Sequence, residues 1–267
     1  MLWEEHSWPQ LRQLDKNLPV VIPLAACEQH GPHLPVFVDT IQVTEIAQQV
    51  EAKLSDRILL LPTMWLGCSH HHKDFPGTIS VLPSLYIQMI QEIARSVLRA
   101  GFGRIFFLNG HGGNRAPAAD ALSELIATDN KADGACLALA SWWEVAAEGI
   151  KPEKVGLTQP VVAHACAYET SLMLAVRPEL VHKDKLTPRL SPVMQGPWFY
   201  SEDDSSSRVA TFHRFHRYNA DGVLGNPDEA SLESGQAILD AVVDQVVLFL
   251  NDFGQWPELP ACGPDSS

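Results

Sequence analysis

A carboxylate and an imidazole stand two residues apart, directly after the first long apolar run of the sequence. Glu28 and His30 follow the run Val20–Leu24, and Asp39 supplies a second carboxylate a few residues later. In an extended segment, residues i and i+2 project to the same side, so Glu28 and His30 can reach one ligand. Carboxylate oxygen and imidazole nitrogen are ligands that zinc, manganese and iron accept. The pattern indicates a metal site, whereas the plainer interpretation is a solvated loop after a buried strand.

A second candidate ligand follows a later apolar run. His111 is flanked by Gly110, Gly112 and Gly113, and glycines let the backbone approach a ligand closely. A lone histidine at a strand end is more often a hydrogen-bonded structural residue than a ligand. The glycines, and a position after a strand like that of Glu28, favour the ligand interpretation here.

His164 and Glu169 lie at the start of a predicted helix. His164 is a candidate general acid or base, since the ordinary pKa of histidine is close to neutrality. The carboxylate of Glu169 can point either to the edge of the sheet or to solvent, where the first turn of a helix favours a negative charge. The sequence supports both orientations equally.

Three further residues are candidates for contacting a substrate. Within the run of histidines at positions 70–72, neighbours on a strand would alternate faces, so the three cannot all reach one ion, and we assign a site-lining role to His72. Trp142 and Trp143 follow another predicted strand. Tryptophans at such positions are typical of a core or an interface, but one of them can also line the binding site of a small planar ligand.

The candidate side chains must be positioned by strands and helices, which alternate along the chain. Apolar strands are predicted at 18–24, 58–61, 104–108 and 135–140, with helices at 41–54, 84–98, 116–127, 171–176 and 231–252. This order predicts an α/β fold with three αβα layers and a mostly parallel sheet. Such sheets bind ligands beyond the carboxyl ends of their strands. We therefore expect Glu28, His30, His111 and Trp142 at one edge of the sheet.

Composition limits the class of protein. The 267 residues, 46% of them hydrophobic, suffice for one large domain, which we expect over 1–256 with a loose tail at 257–267. A net charge of -13 argues against a nucleic-acid partner. No signal-peptide pattern and no apolar stretch of membrane-spanning length occur, so we expect no membrane contact. Five scattered cysteines indicate a reducing cytoplasm and inert thiols.

Taken together, several segments resemble the creatininase, or creatinine amidohydrolase, family, in family order and over most of the chain. The matching segments are Glu28-Gln29-His30-Gly31-Pro32-His33-Leu34-Pro35 with Asp39, His72-Lys73-Asp74-Phe75-Pro76-Gly77-Thr78-Ile79-Ser80, Asn109-Gly110-His111-Gly112-Gly113-Asn114, His164 with Glu169-Thr170-Ser171, and Gly222-Val223-Leu224-Gly225-Asn226-Pro227 with Ala230.

The resemblance implies a metal-dependent amidohydrolase that cleaves a carbon–nitrogen bond of a cyclic amide or formamide with a metal-activated water. It implies one or two divalent ions per chain, zinc, manganese or iron, and assembly of the chain into a homo-oligomer, typically a hexamer. The implied ligands are Glu28, His30, Asp39 and His111. Asp39 would bridge two ions, and His164 would pass a proton to the leaving nitrogen.

One position departs from creatininase proper. There, the histidine of the third motif is followed two positions later by a glutamate that binds the second metal, whereas this chain has Gly113. The Gly-His-Gly-Gly-Asn form resembles the wider branch of the family, in which a carboxylate such as Glu169 would complete the site. That branch includes formamide deformylases and a peptidase.

An alternative from a different class is a non-catalytic member that binds a metal or ligand on the same fold. In that case the long segment 183–226, which carries an acidic, serine-rich patch at 201–207, would serve assembly. Turnover of an amide in the presence of added metal separates the two hypotheses.

Overall fold

A parallel sheet between two layers of helices forms the centre of this computed structural model, which describes residues 1–186, 212–218 and 220–257. Its strands are Val20–Leu24 (β1), Leu59–Leu60 (β2), Arg104–Asn109 (β3) and Cys136–Ser141 (β4). They are arranged in the order β2-β1-β3-β4, and every neighbouring pair is parallel. The predicted three-layer α/β fold with a mostly parallel sheet is confirmed.

The five predicted helices occur in the predicted order with shifted ends, and the described residues form three short helices that were not predicted. In the described residues the α-helices are Trp8–Gln13 (α1), Val38–Leu54 (α2), Pro83–Arg99 (α3), Arg115–Thr128 (α4), Trp142–Val145 (α5), Pro152–Val155 (α6), Ala167–Val176 (α7) and Leu232–Phe253 (α8). The sequence pattern places Ser84 as the N-cap of α3, but the cap is Leu82 and Pro83 opens the helix. Proline suits the first helical position because it has no N–H that needs a partner there.

Alternate residues of the strands belong to two separate cores. Val21 and Phe106 pack in a cluster with residues of α2, α7 and α8. Ile22 and Phe107 pack in a second cluster with residues of α3 and α4. Both faces of the sheet are therefore buried, and this explains why its strands read as continuous apolar runs rather than as alternating patterns.

Several expectations concern residues outside the described part of the chain, which lacks 187–211, 219 and 258–267. Among them are the acidic patch at 201–207, all but the first residue of the predicted loose tail, and Cys262. The single domain over 1–256 stays a prediction. Among the described residues, no helix combines the length and apolar character needed to cross a bilayer.

The cysteines of the described residues are free thiols, namely Cys27, Cys68, Cys136 and Cys166. Burial raises the pKa of Cys68 and of Cys166 to about 11. A thiol with so high a pKa carries little thiolate at neutral pH and is a poor nucleophile.

Candidate metal centre

Two strand ends and two helix starts position the predicted ligands. Glu28 and His30 lie in the loop after β1, and His111 lies two residues after the end of β3. Asp39 and Glu169 lie in the first turns of α2 and α7. All five side chains are buried. Because β1 and β3 are adjacent and parallel, their carboxyl ends meet at one edge of the sheet, as expected from the sequence.

Asp39 lies between two histidines and directs one carboxylate oxygen to each. Its Oδ1 is 3.2 Å from Nε2 of His30, and its Oδ2 is 3.1 Å from Nδ1 of His111. Glu28 Oε1 lies 3.2 Å from the same His111 nitrogen, and Glu169 Oε2 lies 3.8 Å from His30 Nε2. The five side chains therefore form two adjoining groups that share Asp39.

Three buried polar atoms of this cluster test whether it fits a cation. Glu28 Oε2, His30 Nε2 and Asp39 Oδ2 make no hydrogen bond to any residue that the structure describes, although His30 Nε2 and Asp39 Oδ2 lie within ion-pair distance of a charged partner. Leaving such atoms unpaired costs about 1–3 kcal/mol each, so buried polar atoms normally find a partner or an ion. Carboxylate oxygens and imidazole nitrogens are suitable ligands for zinc or manganese. The donor set fits a divalent cation.

Charge pairing controls the protonation of the cluster. Burial alone would lower the pKa of His111, but Glu28 and Asp39 beside it outweigh burial and hold that pKa well above its usual value. Burial also acts to lower the pKa of His30, which Asp39 and Glu169 raise well above the usual value. Both imidazoles are therefore in the charged form, with a proton on each nitrogen, when no cation is bound. A cation would replace one proton on each ring.

The two glutamates respond differently to the same environment. Burial would raise the pKa of Glu28, but His111 and His72 reverse the effect and hold that pKa well below its usual range. Burial raises the pKa of Glu169, and His30 offsets only part of this shift. Glu169 also accepts a hydrogen bond of 2.5 Å from the backbone N–H of Ala165, whose φ of 51° is unusual for a residue other than glycine. The backbone before α7 is thus shaped to hold this carboxylate.

His164 presents one ring nitrogen to the cluster. Its Nε2 lies 2.8 Å from the backbone oxygen of Gln29, to which it donates, and its Nδ1 lies 3.5 Å from Oε1 of Glu28. Burial and the nearby His30 hold the pKa of His164 well below its usual value, so the ring is neutral. Since Nε2 carries the proton, Nδ1 is the atom that can exchange a proton with a ligand of the cluster.

Gln29 was not among the residues predicted from the sequence. Its side-chain Nε2 lies 2.8 Å from His72 Nδ1, 2.9 Å from the oxygen of Gly222 and 3.0 Å from His164 Nε2. Because His164 Nε2 already donates, the two amide hydrogens of Gln29 serve His72 and Gly222. A side chain at Gly222 would overlap the Gln29 amide. A neutral amide between Glu28 and His30 has no feature in the sequence to indicate that it holds the rings of His72 and His164 in place.

The three consecutive histidines form a turn of 3-10 helix, not a strand. His72, predicted to line the site, has its Nε2 3.5 Å from Oε1 of Glu28. His71 also faces the cluster, since its ring stacks on that of His111 with centroids 5.8 Å apart. His70 turns away and contacts Ser80 Oγ at 2.7 Å. The sequence singled out His72 on the assumption that these residues form a strand, and it therefore missed His71.

An aromatic ring from the distant segment 212–218 covers the imidazoles. Phe215 stacks on His72 with ring centroids 4.2 Å apart and meets His164 edge-on at 4.7 Å. Its neighbours Arg214 and His216 contact the carboxylate of Asp74 at 3.0 and 2.7 Å. This residue was also not predicted, because a phenylalanine in an irregular segment has no pattern that indicates a site.

Gly113 cannot carry a side chain in this backbone. A Cβ atom there would overlap the carbonyl oxygen of Cys68 and would lie 2.5 Å from Nε2 of His111. Asn114 holds this loop by accepting from the N–H of Cys68 at 2.9 Å and donating to the oxygen of Ala25 at 3.0 Å. Position 113 therefore supplies no ligand, while Glu169 lies beside His30.

The two tryptophans that follow β4 pack in the hydrophobic core. Trp142 is buried in the core that contains Phe106 and Leu172, and Trp143 packs against the same core. Their rings meet edge-on at 5.3 Å. A role for either ring as a wall of the substrate site stays a prediction.

Comparison with protein families gives a match over most of the chain. The family model described as "Creatininase: Creatinine amidohydrolase" matches residues 4–250. A "Mycofactocin precursor peptide peptidase" of Mycobacterium ulcerans is 32% identical over 246 residues, which cover 88% of this chain and 86% of that protein. A "Creatinine amidohydrolase" of Pseudomonas putida is 26% identical over 259 residues and 92% of each chain.

Solved structures share the fold. One is described as "Creatininase Mn" and another as a mutant creatininase of "Zn-Zn type". Each has a TM-score of 0.77 at 24% identity and covers 94% of this chain and 97% of its own. At that identity the likeness establishes the architecture.

Proposed function

This chain belongs to the creatininase family of hydrolases, and we propose that it is a metal-dependent amidohydrolase that cleaves a carbon–nitrogen bond. The proposed ligands are Glu28, His30, Asp39, His111 and Glu169. The position of Asp39, with one oxygen near each of two histidines, carries the proposal. Once His30 and His111 give up their extra protons to bind a cation, the three buried carboxylates hold three negative charges in their ionised form, and buried charge is stable only when it is paired. One or two divalent ions, Zn, Mn or Fe, would balance it.

A bound divalent ion supplies Lewis acidity, which polarises an amide carbonyl and makes water nucleophilic at neutral pH. His164 has the position and protonation state to accept a proton at Nδ1 from the attacking water, and we propose that it passes this proton to the leaving nitrogen. Gln29 orients the rings of His72 and His164 through its amide and its backbone oxygen. Phe215 covers these rings and keeps water from their outer faces.

Metal content tests this proposal directly. Protein purified without chelator should contain about two ions per chain if Asp39 bridges a binuclear site, and about one if the site is mononuclear. Glu28→Gln and His111→Ala should lose metal and activity while the circular dichroism spectrum is kept. His182→Ala, which changes an exposed histidine, is the matched control and should retain both. Variants of Glu28 and His111 that keep metal and turnover would refute the assignment.

The substrate class is proposed from chemistry and from relatives. A small cyclic amide or a formamide is the first candidate. The relative from Pseudomonas putida supports it, because that protein is named a creatinine amidohydrolase and creatinine is a cyclic amide. A peptide substrate is the second candidate, because the 32% identical relative from Mycobacterium ulcerans is a peptidase. Metal-loaded protein should be assayed on creatinine, an N-formyl amine and short peptides, with products identified by mass spectrometry. Full metal loading without turnover of any amide would favour the non-catalytic alternative.

Assembly and location are part of the same proposal. By family resemblance we expect a homo-oligomer, a hexamer, in the cytoplasm. Light scattering coupled to size exclusion measures the mass in solution, and a monomer would contradict the expected assembly.

A further inference from the structure

His71 has surroundings that neither of its histidine neighbours shares. His70 contacts Ser80, and His72 contacts Gln29 through Nδ1 at 2.8 Å. The ring of His71 makes no hydrogen bond to any residue that the structure describes. It packs instead between two other imidazoles, with its centroid 4.2 Å from that of His72 and 5.8 Å from that of His111.

The distances place His71 with two of the proposed ligands. One ligand atom each from Glu28, His71 and His111 lie within 4.8 Å of one another. His111 contributes Nδ1 to this set, since its Nε2 contacts the carbonyl oxygen of Cys68 at 3.1 Å. Two nitrogens and one carboxylate oxygen at such spacing can close on one ion after small side-chain rotations.

Gly113 explains how the ring reaches this position. A Cβ atom at position 113 would lie 2.9 Å from Cε1 of His71, closer than real Cβ contacts allow. The ring of His71 thus occupies space that any other residue at 113 would need. The lack of a side chain at position 113 therefore leaves room for the imidazole of His71 beside His111.

We infer that His71 is an additional protein ligand of the ion held by Glu28 and His111. The inference rests on the proposed function because it uses the same ion. It assigns a ligand from outside the set that the sequence predicted. With His71, the group on this side of Asp39 gains a neutral nitrogen donor, and the group on the other side keeps His30 and Glu169.

The test compares neighbouring histidines in the same helical turn. Metal-free wild type, His71→Ala and His70→Ala are titrated with Co²⁺ by calorimetry, and the visible spectrum of the bound cobalt is recorded. We expect His71→Ala to weaken the binding of one ion by about tenfold or more and to change the intensity of the cobalt bands. His70→Ala should stay within about twofold of the wild type in affinity and should keep the spectrum.

Conservative variants keep the test decisive if His71→Ala folds poorly. The oxygen of Gln can take the place of Nε2 and that of Asn the place of Nδ1, so His71→Gln or His71→Asn should restore part of the affinity. Wild-type affinity and spectrum in a folded His71→Ala would overturn the inference, as would an equal loss in His70→Ala. A wild type that binds no cobalt would refute the proposed function itself, whereas binding that depends on Glu28 but not on His71 would refute only this inference.

Discussion

Phe215 stacks on His72 with the two ring planes inclined by 27°. We expect Phe215→Ala to lower kcat/KM by about tenfold or more, since the imidazoles of His72 and His164 would then be open to water and less firmly placed. Steady-state kinetics on metal-loaded protein gives the measurement. Phe215→Leu, which keeps an apolar cover, should lose less.

Two further variants show whether the cover acts through its position. Phe212→Ala removes an exposed phenylalanine from the same segment and should leave kinetics unchanged. Asp74→Ala removes the carboxylate that Arg214 and His216 contact, and should change activity in the same direction as Phe215→Ala but less strongly. Equal activity of Phe215→Ala and wild type would show that the ring is only a packing element.

The sequence predicted the fold well because its signals are local. The run Val20–Leu24 and the segment around Phe106 read as buried strands, and the structure buries them on both faces. Ser84 was misplaced as a cap because a polar residue near a helix start resembles an N-cap, while Pro83 decides where α3 begins. Such errors shift the end of an element without changing the order of elements.

The residues that hold the site's side chains in place could not be predicted, because they make their contacts with residues far away in the sequence. Gln29 reaches His164 over 135 residues and Gly222 over 193 residues of chain, and no short pattern encodes such contacts. Glu28, His30 and His111 were found because they follow predicted strands, whereas Asp39 and Glu169 lie at helix starts and were assigned as ligands through the family resemblance. His71 was excluded by the assumption that three histidines in a row form a strand.

Gly235 allows α8 to approach α7 closely. A Cβ atom there would overlap the carbonyl group of Ser171 and lie 3.1 Å from Cβ of Ala175. Although alanine is the better helix former by about 0.5–1 kcal/mol, forcing two packed helices apart costs about 1–3 kcal/mol. Gly235→Ala should therefore destabilise the protein, measured as a fall of several degrees in the melting temperature. Gly103→Ala, at a position with open space, should change it little.

Metal uptake should release protons near neutral pH. His30 and His111 have raised pKa values in the ion-free cluster because of the adjacent carboxylates. Their charged forms stabilise the ion-free fold fully below the ordinary pKa of about 6.5, and this contribution is lost as pH rises through the raised values. The apparent metal affinity should therefore increase as pH rises through this window.

Calorimetry in two buffers with different heats of ionisation counts the released protons. The count should be positive at pH 7 and should fall as the imidazoles lose their protons at higher pH. Binding without proton release at pH 7 would show that both imidazoles are already neutral, in contradiction to the raised pKa values.

Gln29 should act through the tautomer of His72. Its amide donates to His72 Nδ1, so the ring proton resides on Nε2, which faces Glu28. Gln29→Glu keeps the shape but replaces the donor by an acceptor, which would move the His72 proton to Nδ1. We expect kcat to fall by about 10–100-fold with little change in KM, and the nitrogen NMR shifts of His72 to exchange. Gln13→Glu, on the exposed surface of α1, controls for the added charge. An unchanged tautomer with normal kcat would limit Gln29 to a structural contact.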